Sequence, residues 1–592
     1  MPFCKKCGYS AGSGEDTCRI CGQPLVESSA AAPTTATPPA PVRASRFTPR
    51  AMLLVSIPAL LFAGIAFAFL YLKTTPTLEQ IVPRDSVGVA VVDAKWWWDA
   101  TGDVRAQADV AKDIRDMEKE SGISLDADIA SWVGQVGVTV LCADEKKPQV
   151  VAYLQVRDWP AFLRFAGKMQ SKAKGMSGET WKESTYEGVK IQTIVADGNA
   201  ATGIPPVSVT WIKGWALVAL GEGSIEKVID TYQGREPAIG NDSNWKQALA
   251  QRRDHTFLWY GVDGARLIAA IKAALPNNGT AAAVGEAKAL EQMADKTDMV
   301  GVVSLADMGN GMRMDAVSIP KTETVRAYWR EYKETSGSVS GSILKELPRD
   351  SFSVFLAHDP NGWYQRYKKI VLAQIPASER KDIDPVLKQI EPFEAELAKY
   401  PGDCGIALAE DGNGGIGVVA LAQSKDPGSA RQSGTNLAAL MTKFNLEVKS
   451  VANMYSLPDF ASTPNPYLSI APGFLVRDDY LALSSDTHLL DAKVPIGSTF
   501  VLPADSRDAD FVAMGDFRFF PLLLKLGKDM TAPAKEAMDG TGLQGASWNA
   551  HTLIASDGSR QIAAAEIDGW NWREAIKKLT GDAEKAGSHK GE

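Results

Sequence analysis

Hydrophobic and polar positions divide this chain into three regimes. Residues 51–72 carry no charge at all, between Arg50 and Lys73. At about 1.5 Å per residue this run extends roughly 33 Å as a helix, against a hydrocarbon core of about 30 Å, and it predicts one transmembrane helix. Residues 27–50 before it are mostly Ala, Pro, Thr and Ser, which predicts a flexible linker. After it, short apolar runs bounded by turn residues alternate with amphipathic stretches. Residues 87–92 and 352–357 read as strands, while Trp159, Phe162, Phe165 and Met169 recur at helical spacing behind Asp158 and Pro160.

The pattern also repeats. Thr77-Leu-Glu-Gln-Ile-Val-Pro-Arg-Asp-Ser86 recurs as Ser342-Ile-Leu-Lys-Glu-Leu-Pro-Arg-Asp-Ser351, and each copy continues into an apolar strand and an aromatic helix start, Trp96-Trp97-Trp98 or Trp363-Tyr364. Hairpin signals close both copies, at Asp307-Met-Gly-Asn-Gly311 and Asp557-Gly558. The expected fold is α+β: two duplicated domains over 76–320 and 341–580 with mainly antiparallel sheets and helices packed on one face, followed by a disordered tail over 581–592.

Charge and cysteines place these parts. Lys5, Lys6, Arg19, Arg43, Arg46 and Arg50 precede the apolar run, whereas Lys73 and Arg84 follow it, which predicts an N-terminus in the cytoplasm and a large C-terminal part outside. Ala66-Phe67-Ala68 offers a signal-peptidase-like site, but the long N-terminal region and the length of the run favour an anchor. Cys4-Lys5-Lys6-Cys7-Gly8 and Cys18-Arg19-Ile20-Cys21-Gly22 form two C-x-x-C-G knuckles over residues 1–26. Four thiolates so spaced close a tetrahedral shell, so Cys4, Cys7, Cys18 and Cys21 are the expected ligands of one structural Zn2+. With no open coordination position, that zinc has no expected catalytic role. Cys142 and Cys404 are expected as buried thiols, with a disulfide as the alternative.

With its two knuckles, linker and apolar run, the first 72 residues resemble the N-terminal zinc ribbons of bacterial single-pass membrane proteins that carry an extracytoplasmic domain of unknown function. The resemblance implies the inner membrane of a prokaryotic cell, with the large domain periplasmic or extracellular, and implies no activity.

Other motifs match only as strings. Gly8-Tyr-Ser-Ala-Gly12 lies between the knuckles and lacks the strand and helix of a nucleophile elbow. Gly412-Asn-Gly-Gly-Ile-Gly417 sits between two apolar strands and reads as a hairpin turn. Ser342-Ile-Leu-Lys345 and Ser171-Lys-Ala-Lys174 lack the partners of an S-x-x-K hydrolase, and Ser342 reads as a helix cap. The five histidines, His255, His358, His488, His551 and His589, show no metal-binding spacing. The three tryptophans read as helix packing in preference to sugar stacking. A net charge of −8 and a pI near 5.5 argue against nucleic acid or anionic lipid as the partner of the large part. The expected role is therefore a non-enzymatic binding or scaffold protein of the envelope, partnered by the membrane and by a protein, peptide or glycan. The alternative is an envelope hydrolase with its site between the two copies.

Residues 1–46 are expected to co-purify with one zinc per chain and to lose their fold on chelation. Metal analysis with circular dichroism checks this, and a folded, metal-free segment contradicts it.

Overall fold

The structure is a computed structural model. It describes residues 75–575 apart from 142–148, 174–178, 197–205, 275–294, 376, 411–414, 459–470, 478, 492–493, 520–542 and 544. Ten strands come from the first half: β1 (Ser86–Asp93), β2 (Val133–Leu141), β3 (Gln149–Val156), β4 (Glu179–Tyr186), β5 (Val189–Ala196), β6 (Val207–Ile212), β7 (Trp215–Leu220), β8 (Thr256–Asp263), β9 (Met299–Asp307) and β10 (Gly311–Pro320). The second half supplies β11 (Ser351–His358), β12 (Asp403–Glu410), β13 (Ile416–Gln423), β14 (Lys449–Val451), β15 (Met454–Ser456), β16 (Gly473–Arg477), β17 (Tyr480–Ser484), β18 (Phe511–Asp516), β19 (Ser547–Ile554) and β20 (Gln561–Asp568).

Every pairing among them is antiparallel. The order across the first half is β4-β5-β6-β7-β3-β2-β1-β8-β9-β10. From β20 the second half runs β19-β18-β11-β12-β13-β17-β16-β15-β14, the same order reversed in space. Strands β10 and β20 pair with each other, so the two halves share one continuous sheet.

A local twofold axis relates the halves. Register leads from Val92 through Leu258 and Leu305 to Met314, and from Ala357 through Phe511 and Thr552 to Ala563. Asp315 and Ala564, the next residues on β10 and β20, are therefore equivalent, and they lie opposite each other. The axis passes through that pair. Exchange of N–H and C=O groups between two equivalent edges removes both edges from solvent, as in a symmetric dimer.

Two large cores line one side of the sheet, the core face. In the first half Val89, Val91, Tyr153 and Trp259 pack under helices Ser224–Tyr232 and Ser243–Leu249 through Ile225, Ile229 and Trp245. In the second, Val354, Leu356, Val419 and Val512 pack with Ile343, Leu489 and Leu490 from short 3-10 turns. Helices also cover the two ends of the other side, the outer face. Trp159–Ala173 buries Phe162 against Val133 and Val156, and Pro427–Lys443 buries Ala430 and Leu437 against Phe474 and Leu481. Helices thus lie on both faces, where packing on one face was expected.

The expected fold takes a second correction. The described chain is α+β with a large antiparallel sheet, and no described helix is long and apolar enough to cross a membrane. The longest, Ala377–Leu397, has 21 residues but contains Pro385 and Pro392 and is rich in charged residues. The transmembrane helix expected over 51–72 lies outside the described residues, and the architecture stands without it.

A buried charge network fixes the junction on the core face. Arg313 donates to Asp315 on its own strand at 3.0 Å, to Glu566 directly opposite on β20 at 2.9 Å, and to Asp505 at 2.6 Å. Arg253 donates to the other oxygen of Asp315 at 3.1 Å. A one-residue slip between β10 and β20 would turn Glu566 to the opposite face and take from the Arg313 guanidinium one of its three carboxylates, so the network favours this register. Arg313→Ala leaves Glu566 without its cation and Asp315 and Asp505 sharing Arg253, and should cost about 3 kcal/mol or more. Urea denaturation measures this, with the unaltered protein unfolding in one cooperative transition because both halves share the sheet.

Candidate functional site

An antiparallel sheet with one wet face alternates apolar and polar residues along each strand. The central strands here do not alternate. On the outer face a single row joined by register reads Val138, Ala90, Tyr260, Val303, Ala316, Ala563, Thr552, Phe511, Ala357 and Cys404, crossing ten strands with one hydroxyl outside the tyrosine. The neighbouring row reads Val92, Leu258, Leu305, Met314, Ala565, Ala550, Ala513, Phe355 and Ile406. Neither row carries a charge.

Among the described residues this face is open between the two end helices, apart from its margin at Met299 and Ile554, where Val325 and Trp329 of helix Glu323–Ser336 pack. Val138 is 40% exposed, Tyr260 46%, Met314 40%, Ile406 46% and Phe511 38%, values found for side chains facing solvent and not for a core. Covering about 300 Å² of such surface contributes about 7 kcal/mol at about 25 cal/mol per Å². Cys404 belongs to this row, and burial among its neighbours pushes its thiol up to about 11, so it is a poor nucleophile at neutral pH.

The open face runs into a groove at the ends of β1, β8 and β9. Leu305 and Asp307 are alternate residues of β9, and Asp307 lines the groove with Asp93, Trp96, Phe257, Met308 and the 252–256 loop. The groove encloses about 950 Å³. Its wall is an aromatic stack: Trp96 lies 3.8 Å from Phe257, nearly parallel, and 5.1 Å from Trp572. Both stacking partners are buried, so the stack serves packing. Arg252, Arg253 and Arg573 also line it. Arg252 bonds Glu79 at 2.7 Å, and Arg573 bonds Asp307 at 2.5 Å. His255 has a left-handed backbone, φ 62°, but Asp508, at the matching place before β18, has φ 66°. Two copies sharing the conformation make it a property of the turn.

One cluster brings a serine, a histidine and an aspartate together. Asp403 opens β12 opposite His358, which ends β11, and it accepts from His358 Nδ1 at 2.9 Å, from Ser342 at 3.1 Å and from Ser340. The order is wrong for nucleophilic catalysis, where histidine lies between the other two and takes the hydroxyl proton. Here the carboxylate lies between them and both serines donate to it. Burial raises the Asp403 carboxyl, yet the bonds from His358, Ser340 and Ser342 outweigh it and hold the group below its usual range. The corresponding pair on β1 and β2 is Asp93 and Gln135. The cluster latches the connector between the halves onto β12.

A family model described as "Protein of unknown function (DUF3352)" matches residues 51–453. The chain belongs to that family. No curated protein matches it. Among solved structures, TP0453 in its crystal form I aligns at 6% identity over 46% of this chain and 90% of that one, with a TM-score of 0.24. At that score the likeness carries no argument about fold or role.

The residues singled out in the sequence fare unequally in this family member. Cys4, Cys7, Cys18 and Cys21, Ser10 of the elbow-like string and Cys142 lie outside the described residues. Cys404 is a free thiol. Among the described residues no group of three or more His, Cys, Asp or Glu side chains is arranged to hold a metal. The glycine-rich string joins β12 and β13, which pair antiparallel; residues 411–414 lie outside the description. Ser342 does not cap its turn; Gly341 holds that place and the serine hydroxyl turns to Asp403. Trp98 donates to Asp126 under the Arg105 guanidinium, whereas Trp97 and Trp363 point outward. Sequence reasoning missed the open face, although missing alternation in Met-Val-Gly-Val-Val-Ser-Leu of β9 was a signal for it.

The hydrogen bond to Asp403 raises the His358 pKa above its ordinary value, against the opposing effect of burial. Its contribution to stability is complete below about pH 6.5 and is lost as pH rises through the raised folded value. Melting temperature should therefore fall as pH rises above about 6.5, and His358→Gln should flatten that slope. An unchanged slope in the variant contradicts the latch.

Proposed function

We propose that this protein is a non-enzymatic binding protein of the cell envelope whose ligand is an apolar chain, the acyl chain of a lipid, laid on the outer face of the sheet. The observation that carries this reading is the charge-free double row from Val138 to Cys404 and from Val92 to Ile406, open to solvent at its centre. A surface rich in aliphatic groups and nearly free of polar handles rewards burial without fixing direction, which suits a flexible hydrocarbon. Protein interfaces instead set arginines among their apolar anchors, and neither row holds one. Trp548, on the same side of β19 as Ala550, is tilted against Phe355, and Trp96 at the end of the face has its ring stacked on Phe257 and Trp572; rings already engaged by neighbours disfavour sugar stacking.

The alternation of small and large groups supports the same reading. Ala90, Ala316, Ala563, Ala565 and Ala550 leave a shallow floor between Tyr260, Met314 and Phe511. Hydrocarbon chains follow such relief without a matching partner fold.

A fluorescent dodecyl-chain probe should bind the full chain saturably. Val138→Lys or Tyr260→Asp should weaken it about tenfold or more by placing a charge under the hydrocarbon, with little effect on melting because both positions face solvent. Titration by fluorescence decides the matter; absence of binding, or variants that bind like the parent, would sink the proposal.

A further inference from the structure

We infer that the groove at the ends of β1, β8 and β9 holds the anionic head group, a carboxylate or phosphate, of the ligand whose chain lies on the outer face; this rests on the reading above. Two observations converge on it. The groove is continuous with the face, since Leu305 faces the apolar surface and Asp307, two residues on, lines the groove. Arginines from two distant segments also meet there, Arg253 before β8 and Arg573 after β20, with side chains 42% and 51% exposed.

The carboxylates of the groove are mostly engaged by the fold. Asp93 caps the following helix by accepting from the Trp96 amide at 2.9 Å, with Arg157 3.9 Å away. Asp307 accepts from the Gly309 amide at 2.9 Å, which holds its hairpin, and shares Arg573. Asp254 is the remaining acid of the lining, against Arg252, Arg253 and Arg573. Arg252 is turned away to Glu79 and lies over Trp259, and Arg253 is shared by Asp315 at 3.1 Å and Asp505 at 3.7 Å, so Arg573, half-exposed and paired with Asp307, is the guanidinium best placed for an incoming anion, with Arg253 adding positive charge behind it. A guanidinium presents a planar fork of donors that matches carboxylate and phosphate oxygens, and a half-exposed one retains donors beyond its structural bond. Arg573 sits beside the aromatic wall, 5.2 Å from the Trp572 ring, which narrows its freedom of orientation.

The test compares ligands of one chain length that differ only at the head: dodecanoate, dodecyl phosphate and 1-dodecanol, each below its aggregation threshold and with the full-length protein. Both anions should bind about tenfold tighter than the alcohol, the discrimination expected of one charge-assisted pair. Arg573→Gln should reduce that ratio to about twofold while leaving dodecanol affinity unchanged. Preference for only one anion assigns the head-group class within the inference. Raising salt should weaken the anions and spare the alcohol in the unmodified protein, a readout that holds even if the variant misfolds. Equal affinity for all three, or an unchanged ratio in Arg573→Gln, overturns the head-group site and leaves the apolar face standing. If none of the three binds, both readings fall.

Discussion

Everything described here depends on the pairing of β10 with β20. Two ten-strand halves each end in a strand whose outer hydrogen-bonding edge is unsatisfied, and an unpaired edge invites another chain. The halves meet through equivalent strands about an axis at Asp315 and Ala564, so each edge satisfies the other. Symmetry alone does not choose the register, because main-chain bonds form equally well at several offsets. Arg313 chooses it, by reaching Glu566 across the junction and Asp505 beyond it. The second half supplies two acids to a cation of the first.

Continuity of the sheet has a further effect. The core face is filled by helices and turns from both halves, which supplies the stabilising burial, and the outer face is left partly uncovered in the middle because the helices on that side pack at the two ends and, through Val325 and Trp329 of helix Glu323–Ser336, on Met299 and Ile554 at its margin. Water would normally select polar side chains at those central positions. Their replacement by Val, Tyr, Met, Ile and Phe gives little packing benefit among the described residues, where they are substantially exposed, and so it points to something beyond the described residues that covers them. The duplication sharpens this point: Val138 and Ile406 hold equivalent places on β2 and β12, and both are large, apolar and exposed.

Much of the fold was legible in the sequence, for reasons that differ by element. The antiparallel α+β character came from local signals: the turns after Asp307 and at Gly558 join strands that pair, and helix Trp159–Ala173 follows its apolar period. What local signals do not contain is the third dimension. The joining of the halves depends on β10 meeting β20 across roughly 250 residues of sequence, and Arg313 finding Asp505 and Glu566 has no short-range trace. Asp403 gathering Ser340, Ser342 and His358 likewise follows from strand register. The open face was present as strands without alternation, a pattern that fits a strand buried on both sides equally well, and only measured exposure separates the two cases.

On the proposed reading the ligand lies on the outer face. The most direct test is photolabelling with an alkyl chain that carries a diazirine at its end, followed by mass spectrometric mapping of the modified residues. Label confined to β2, β8, β10, β12 and β18, at and around Val138, Tyr260, Met314, Ile406 and Phe511, is the predicted result. Label on the outward surfaces of the helices with the strands left unmodified would contradict it.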